Sequence, residues 1–142
     1  MSPRKPRPPI LGVAPRPFAH EIFLEGAIPP SNNKIKHMHW AKYRRIREAF
    51  AWALQRELIQ TGYPCLPRKA PKMRVQISVH SRGARKRRLD EDNLWGGCKP
   101  LIDAMRDVFL IRNDSRVWIE LGVSENREPG RTGTRIEFEE AR

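Results

Sequence analysis

Four stretches of the chain alternate apolar and polar residues with a period of two. Around residue 22, His20, Ile22 and Leu24 alternate with Glu21, Phe23 and Glu25. In "KMRVQISVH", Val75, Ile77 and Val79 alternate with Arg74, Gln76 and Ser78. "RVWIELGVSE" sets out Val117, Ile119, Leu121 and Val123, and "RIEFEE" sets out Ile136 and Phe138. Successive side chains of a strand point to opposite faces, so this period predicts four strands, each with one buried face. Two other stretches repeat every three or four residues. Over residues 40–60, Tyr43, Ile46, Phe50, Leu54 and Leu58 form one stripe, with Lys42, Arg44, Arg45, Arg47 and Arg56 largely elsewhere. That predicts an amphipathic helix with a basic outer face. Leu94, Cys98, Leu101, Met105 and Val108 form a second stripe, interrupted by Gly96, Gly97 and Pro100. It fits either a kinked helix or one that begins near Pro100 as a first-turn proline.

The breaks fall where turn chemistry does. In "AIPPSNNK", Pro29 and Pro30 stop the first strand, and Ser31, Asn32 and Asn33 suit a turn. Gly62 and Pro64 end the first helix. "GRTGT" separates the last two strands, which are expected to pair as a hairpin. The order β-α-β-α-β-β predicts an α+β fold, a small mixed sheet of about four strands with two main helices packed on it. Residues 1–17, beginning "MSPRKPRPPILGVAPR", have too much proline and arginine to bury a core. They are expected to form a basic flexible tail before a domain at residues 18–142.

Charge then narrows the class of partner. The 142 residues carry a formal net charge of +12. Such an excess favours polyanions, nucleic acid above all. No apolar run is long enough to span a bilayer, and no signal-peptide core opens the chain, so a cytoplasmic protein without a membrane partner is expected. Cys65 and Cys98 lie in no zinc-ligand spacing and are expected to be free thiols.

One segment departs from the general basic character. "RKRRLDEDN" sets Asp90, Glu91 and Asp92 directly after Arg85, Lys86, Arg87 and Arg88. Read as extended chain, Asp90 and Asp92 share a face and Glu91 takes the other. Two carboxylates held together repel unless a proton or a cation relieves them, and Mg²⁺ takes one or two carboxylates together with substrate phosphate. The alternative is structural: Asp92 or Asn93 caps the following helix, and the cations are a solvated loop. Asp114, in "NDS", adds a further carboxylate where the chain returns to the sheet.

"IPPSNN" after the first strand, then "LDEDNL", a lysine, "LIDAM" and "NDS" before a strand together resemble the RusA-type Holliday-junction resolvases, a family common in bacteria and prophages. The resemblance follows element order from about residue 18 onward and is specific in two patches, residues 28–33 and 90–115. It implies a homodimeric, Mg²⁺- or Mn²⁺-dependent endonuclease that resolves four-way DNA junctions by paired nicks in recombination and repair, with no small-molecule cofactor. It implies Asp90, Asp92 and Asp114 as metal ligands, Lys99 as the catalytic lysine and Asn93 as the end of the D-x-D-N signature. "LWGGC" lengthens the stretch between Asn93 and Lys99, and Asn113 stands where the family often has another acid. On an unbroken helix Lys99 would share a side with Asp92.

Phosphate contacts are expected from Arg82, Arg85, Lys86, Arg87 and Arg88, extended by Arg44, Arg45 and Arg47, and Asn93 is counted with them as a nucleic-acid-binding residue. Asp103 is expected to have a structural role, and Asp107 to face solvent. Two other classes of function stay open. One is a non-catalytic nucleic-acid binder. The other is a metal-independent ribonuclease with His37 and His39 as acid and base. Trp40 and Trp52 fit core or interface packing, or stacking on bases.

Overall fold

A computed structural model describes residues 17–67, 70–81 and 90–141. Residues 1–16 of the basic tail, and the loop cations Arg82, Arg85, Lys86, Arg87 and Arg88, lie outside the described residues. The elements are β1 (His20–Glu25), α1 (Asn32–Lys36), α2 (Trp40–Thr61), β2 (Met73–His80), α3 (Glu91–Gly97), α4 (Lys99–Asp107), β3 (Ile119–Asn126) and β4 (Gly133–Glu140). They form the expected mixed α+β architecture, with one four-stranded sheet in the order β1-β4-β2-β3.

The alternation seen in the sequence becomes the core face of that sheet. Ile22, Leu24, Met73, Val75, Ile77, Val79, Ile136 and Phe138 are all buried. Helices α2 and α4 pack together. Phe50, Leu54 and Leu58 from α2, and Leu101, Ala104 and Met105 from α4, join the same core. Full burial of each large side chain stabilises by about 1.5–3 kcal/mol, so this layer holds the fold. Gly62 stops α2 in the left-handed conformation, with φ +75°, where a residue without Cβ is unstrained.

The strand order corrects the expected hairpin. β3 and β4 do not pair: β4 lies between β1 and β2, antiparallel to both, and β3 pairs with β2 in parallel. Burial supplies the reason. In β4, Gly133, Thr134, Ile136, Phe138 and Glu139 are all buried, which requires neighbours on both edges. β3 keeps only Ile119 buried and carries exposed Glu120 and Ser124, a composition suited to an edge. The α3–α4 crossover then returns the chain to the start of β3, which is what a parallel neighbour needs.

Two helices differ from expectation. The "SNN" turn opens α1, because the Ser31 side chain accepts from Lys34 N and acts as an N-cap. The second predicted helix begins at Lys99 with Pro100 in its first turn, one of the two expected forms, and the residues before the break at Cys98 form a separate helix, α3, that ends at Gly97.

Register fixes the two ends of the sheet. Glu25 lies opposite Gly133, Gly133 opposite His80, and His80 beside Asn126, marking one end, here the upper. Met73 beside Ile119 marks the lower end. The eight residues of β2 separate these ends by roughly 20–25 Å, at about 3.3 Å per residue.

Candidate functional site

The two sequence patches set apart above, residues 28–33 and the start of 90–115, meet in space at the upper end. α1 follows β1 there and packs on α3. The contact is closer than side chains allow. A Cβ on Gly97 would lie 1.9 Å from Pro30 O, and one on Gly96 would lie 2.3 Å from Asn32 Cγ. These glycines read in sequence as part of an inserted stretch. They are the surface on which the Pro-Pro-Ser-Asn-Asn segment rests, so the corner depends on their lack of side chains.

Asp90, Asp92 and Asn93 stand at the start of α3, on this corner. Asp90 is the helix N-cap: its Oδ1 accepts from Asn93 N at 2.8 Å and its Oδ2 from Asn93 Nδ2 at 3.2 Å. This corrects the extended reading of D-x-D. Only Asp90 has extended backbone, and residues 91–97 are helical, so strict alternation does not set the facing of Asp92. It also moves the cap from Asp92 or Asn93 to Asp90. Asn93 holds the Asp90 carboxylate in place with two donors and does not project freely. Asp90 and Asp92 are both exposed. Each carboxylate oxygen of Asp90 accepts one hydrogen bond and keeps a second lone pair.

Lys99 is exposed and opens α4, beyond the break at Cys98. The unbroken helix that would have set it on the side of Asp92 does not form. Asp114 is exposed at the other end of the sheet. Two residues before it, Arg112 Nε donates to Ala70 O at 3.1 Å, and Met73 N donates to Trp118 O at 3.0 Å. These bonds tie residues 112–118 to the lower end, a strand's length from α3. Among the described residues, no three His, Cys, Asp or Glu side chains gather closely enough to hold a metal ion. The expected convergence of Asp90, Asp92 and Asp114 within one chain is therefore not formed. The physical cause is the direction of the crossover, which leaves the upper end at α3 and arrives at the lower end before β3. Asn113 Oδ1 accepts from Ser115 N at 2.9 Å, closing a local turn there.

The expected cationic track on α2 divides in two. Arg47 forms a two-pronged ion pair with Asp107, at 2.7 and 2.6 Å. It is also 3.8 Å from Asp103. The hydrogen bond from Arg47 holds the Asp107 carboxyl below the usual carboxylate range. Arg47 is thus a clamp between α2 and α4, and Asp107 is paired as well as solvent-facing. Tyr43 OH donates to Asp103 Oδ2 at 2.5 Å, which gives Asp103 its structural role. Burial and that bond push the Tyr43 hydroxyl pKa up. Arg44 pairs along the helix with Glu48 at 3.0 Å, both well exposed, and Arg45 is exposed.

The histidine pair is drawn into helix ends. His39 is the N-cap of α2, with its Nδ1 accepting from Ala41 N at 3.1 Å. His37 closes α1. Cys65 and Cys98 are free thiols, as the sequence implies. Among the described residues no helix is long and apolar enough to cross a membrane. The scan against models of protein families gives no match, and no curated protein matches the chain.

Proposed function

We propose that this chain is a Mg²⁺- or Mn²⁺-dependent endodeoxyribonuclease acting on branched DNA as a homodimer, the activity implied by its resemblance to the RusA-type resolvases. The observation that carries the reading is the corner itself. The two segments that bear the resemblance lie more than fifty residues apart in sequence, and the Gly96–Gly97 surface brings them into contact beside Asp90 and Asp92.

The donors at this corner fit a hard divalent cation. Asp90 and Asp92 are exposed carboxylates, and such an ion takes one or two from protein and fills its shell with water and substrate phosphate. When bound, the metal supplies a Lewis acid for the phosphodiester and a means to lower the pKa of a coordinated water. Asn93 orients Asp90, so its oxygens are pre-positioned. Lys99, exposed at the start of α4, keeps the part the resemblance implies for it, positive charge for a phosphate that gains charge in the transition state. Arg45 adds phosphate contacts on the neighbouring helix, as do Arg82, Arg85, Lys86, Arg87 and Arg88 by their place in the sequence before Asp90.

Asp114 belongs to the segment tied to the lower end of the sheet, which supports its joining Asp90 and Asp92 from a second copy. A two-fold dimer would provide two such shared sites, matching the approximate two-fold symmetry of a four-way junction. A second reading, a basic nucleic-acid binder without catalysis, is favoured by one observation: among the described residues no three potential ligands gather into a metal-holding group. The separating experiment incubates the purified protein with a four-way junction and a linear duplex, with Mg²⁺ and with a chelator. Paired nicks in the junction that require Mg²⁺ support the nuclease. Retention of the junction uncut under both conditions leaves the binder.

A further inference from the structure

Helix α2 has a second face that the fold does not use. Phe50, Leu54 and Leu58 are buried against the core. At 100° per residue, Trp52 lies on the opposite side and Ile59, seven residues on, nearly beneath it. Trp52 is 75% exposed and Ile59 72% exposed. Around them on the same side are Lys42, Arg44, Arg45 and Arg56, with Glu48 the sole acid of that face, already bonded to Arg44. Trp52 is not part of the core cluster, and most of its indole is left in water. Two exposed apolar side chains are not by themselves an interface; it is their setting among cations that gives this face a definite chemistry.

Charge selects among the occupants. A second copy would set four cations against four cations across a symmetric contact, which is repulsive. A polyanion is complementary. A flat indole between arginines is moreover the arrangement that stacks on nucleobases while the cations take the adjoining phosphates. In a duplex the base faces are covered by their neighbours, and only unpaired bases offer one. We propose that the outward face of α2 binds single-stranded DNA, with Trp52 stacking on an unpaired base and Arg45 and Arg56 contacting neighbouring phosphates. This rests on the reading of the chain as a protein that acts on DNA. It adds to that reading a preference for substrates with unpaired bases, such as the open centre or a flap of a branched molecule.

The test is binding of a short oligothymidylate and of a blunt duplex of equal length, followed by anisotropy in a chelator so that nothing is cut. Trp52→Ala should weaken oligothymidylate binding about 5- to 150-fold, the range for loss of one base–aromatic stack. Trp52→Phe, which keeps a ring, should retain most of the affinity. Duplex affinity should change by less than about twofold in either variant, since phosphate contacts supply it. Because Trp52 lies outside the core, Trp52→Ala should melt with the parent, which circular dichroism checks. Equal affinity of Trp52→Ala and parent for oligothymidylate would overturn the proposal, as would an equal loss on the duplex. Conversion of a dimer to a monomer by Trp52→Ala in sedimentation would assign the face to a second copy instead. Cleavage is read separately with Mg²⁺. A parent protein that binds through Trp52 but never cuts overturns the nuclease reading and upholds this one. Cleavage with a silent Trp52 does the reverse.

Discussion

Substituting Gly97 by alanine tests whether the corner at α1 and α3 is built on close backbone approach. The added Cβ would sit 1.9 Å from Pro30 O, 3.0 Å from Pro30 C and 3.2 Å from Ser31 Cα. A carbon and a carbonyl oxygen rest at about 3.3 Å or more, so the two segments must separate by about 1.4 Å. The obstructing atoms are backbone of a Pro-Pro segment and cannot rotate away. Inserting a methyl into such a contact costs about 1–3 kcal/mol, with a backbone neighbour at the upper end. Alanine in place of glycine inside a helix returns about 1 kcal/mol. The net expectation is a loss of about 1–2 kcal/mol, a fall in melting temperature of about 3–8 °C for a domain of this size. Gly96→Ala is the comparator, because its Cβ meets the Asn32 side chain, which can turn aside. Thermal unfolding by circular dichroism should rank the parent above Gly96→Ala and Gly96→Ala above Gly97→Ala. A Gly97→Ala protein that melts at or above the parent would show that helix propensity dominates and that no close approach exists.

Three further expectations follow from the same geometry. Asp90→Ala should lose the N-cap and about 1 kcal/mol of stability, while Asp90→Asn should keep both, yet neither should cut DNA; melting and cleavage measured together separate capping from metal binding. Burial, with help from the Arg135 and Arg131 cations, holds the His80 imidazole below its usual pKa, and its Nε2 is buried with no hydrogen-bond partner. The unfolded chain therefore binds this proton more readily than the folded one. Stability should be full above about pH 6.5 and fall as the pH drops from there toward the lower folded pKa; urea midpoints across that window should lose this slope in His80→Gln. Finally, if Asp114 serves the site of its partner, Asp92→Asn and Asp114→Asn proteins should each be inactive alone. Mixed and re-associated, they should regain junction nicking, since one site of the mixed dimer keeps Asp90 and Asp92 of one copy and Asp114 of the other. No recovery on mixing would rule out a shared site.

Local periodicity made the elements legible, and distance along the chain set the limit. The stripe of Phe50, Leu54 and Leu58 and the stop at Gly62 give α2 almost to the residue, and the period-two runs give the core faces of β1, β2 and β4; in β3 only Ile119 is buried, Leu121 and Val123 are partly so, and Val117 lies before the strand and is exposed. Strand order is a matter of pairing between distant segments, which periodicity does not encode. Apolar content pointed the other way, with four apolar positions in the β3 stretch and two in that of β4, and the burial of Gly133, Thr134 and Glu139 that marks β4 as central exists only in the folded sheet. Ser31 serves a turn and a helix cap equally well, so α1 was hidden by an ambiguity of chemistry. The D-x-D segment shows the same effect, as Asp90 satisfies the same description as metal ligand and as N-cap. Arg47 counted as a free cation in the sequence because its partner Asp107 is sixty residues away. Gly96 and Gly97 looked like an insertion because their role exists only against Pro30 and Asn32.

The proposed activity rests on the Asp90–Asp92 pair holding a cation that the DNA backbone needs in order to break. The most direct measurement compares parent and Asp92→Asn on one four-way junction in Mg²⁺, recording cleavage and affinity in the same samples. Loss of cleavage with affinity unchanged or higher, because a negative charge near phosphate has gone, is the predicted result. Equal cleavage by the two proteins would contradict it.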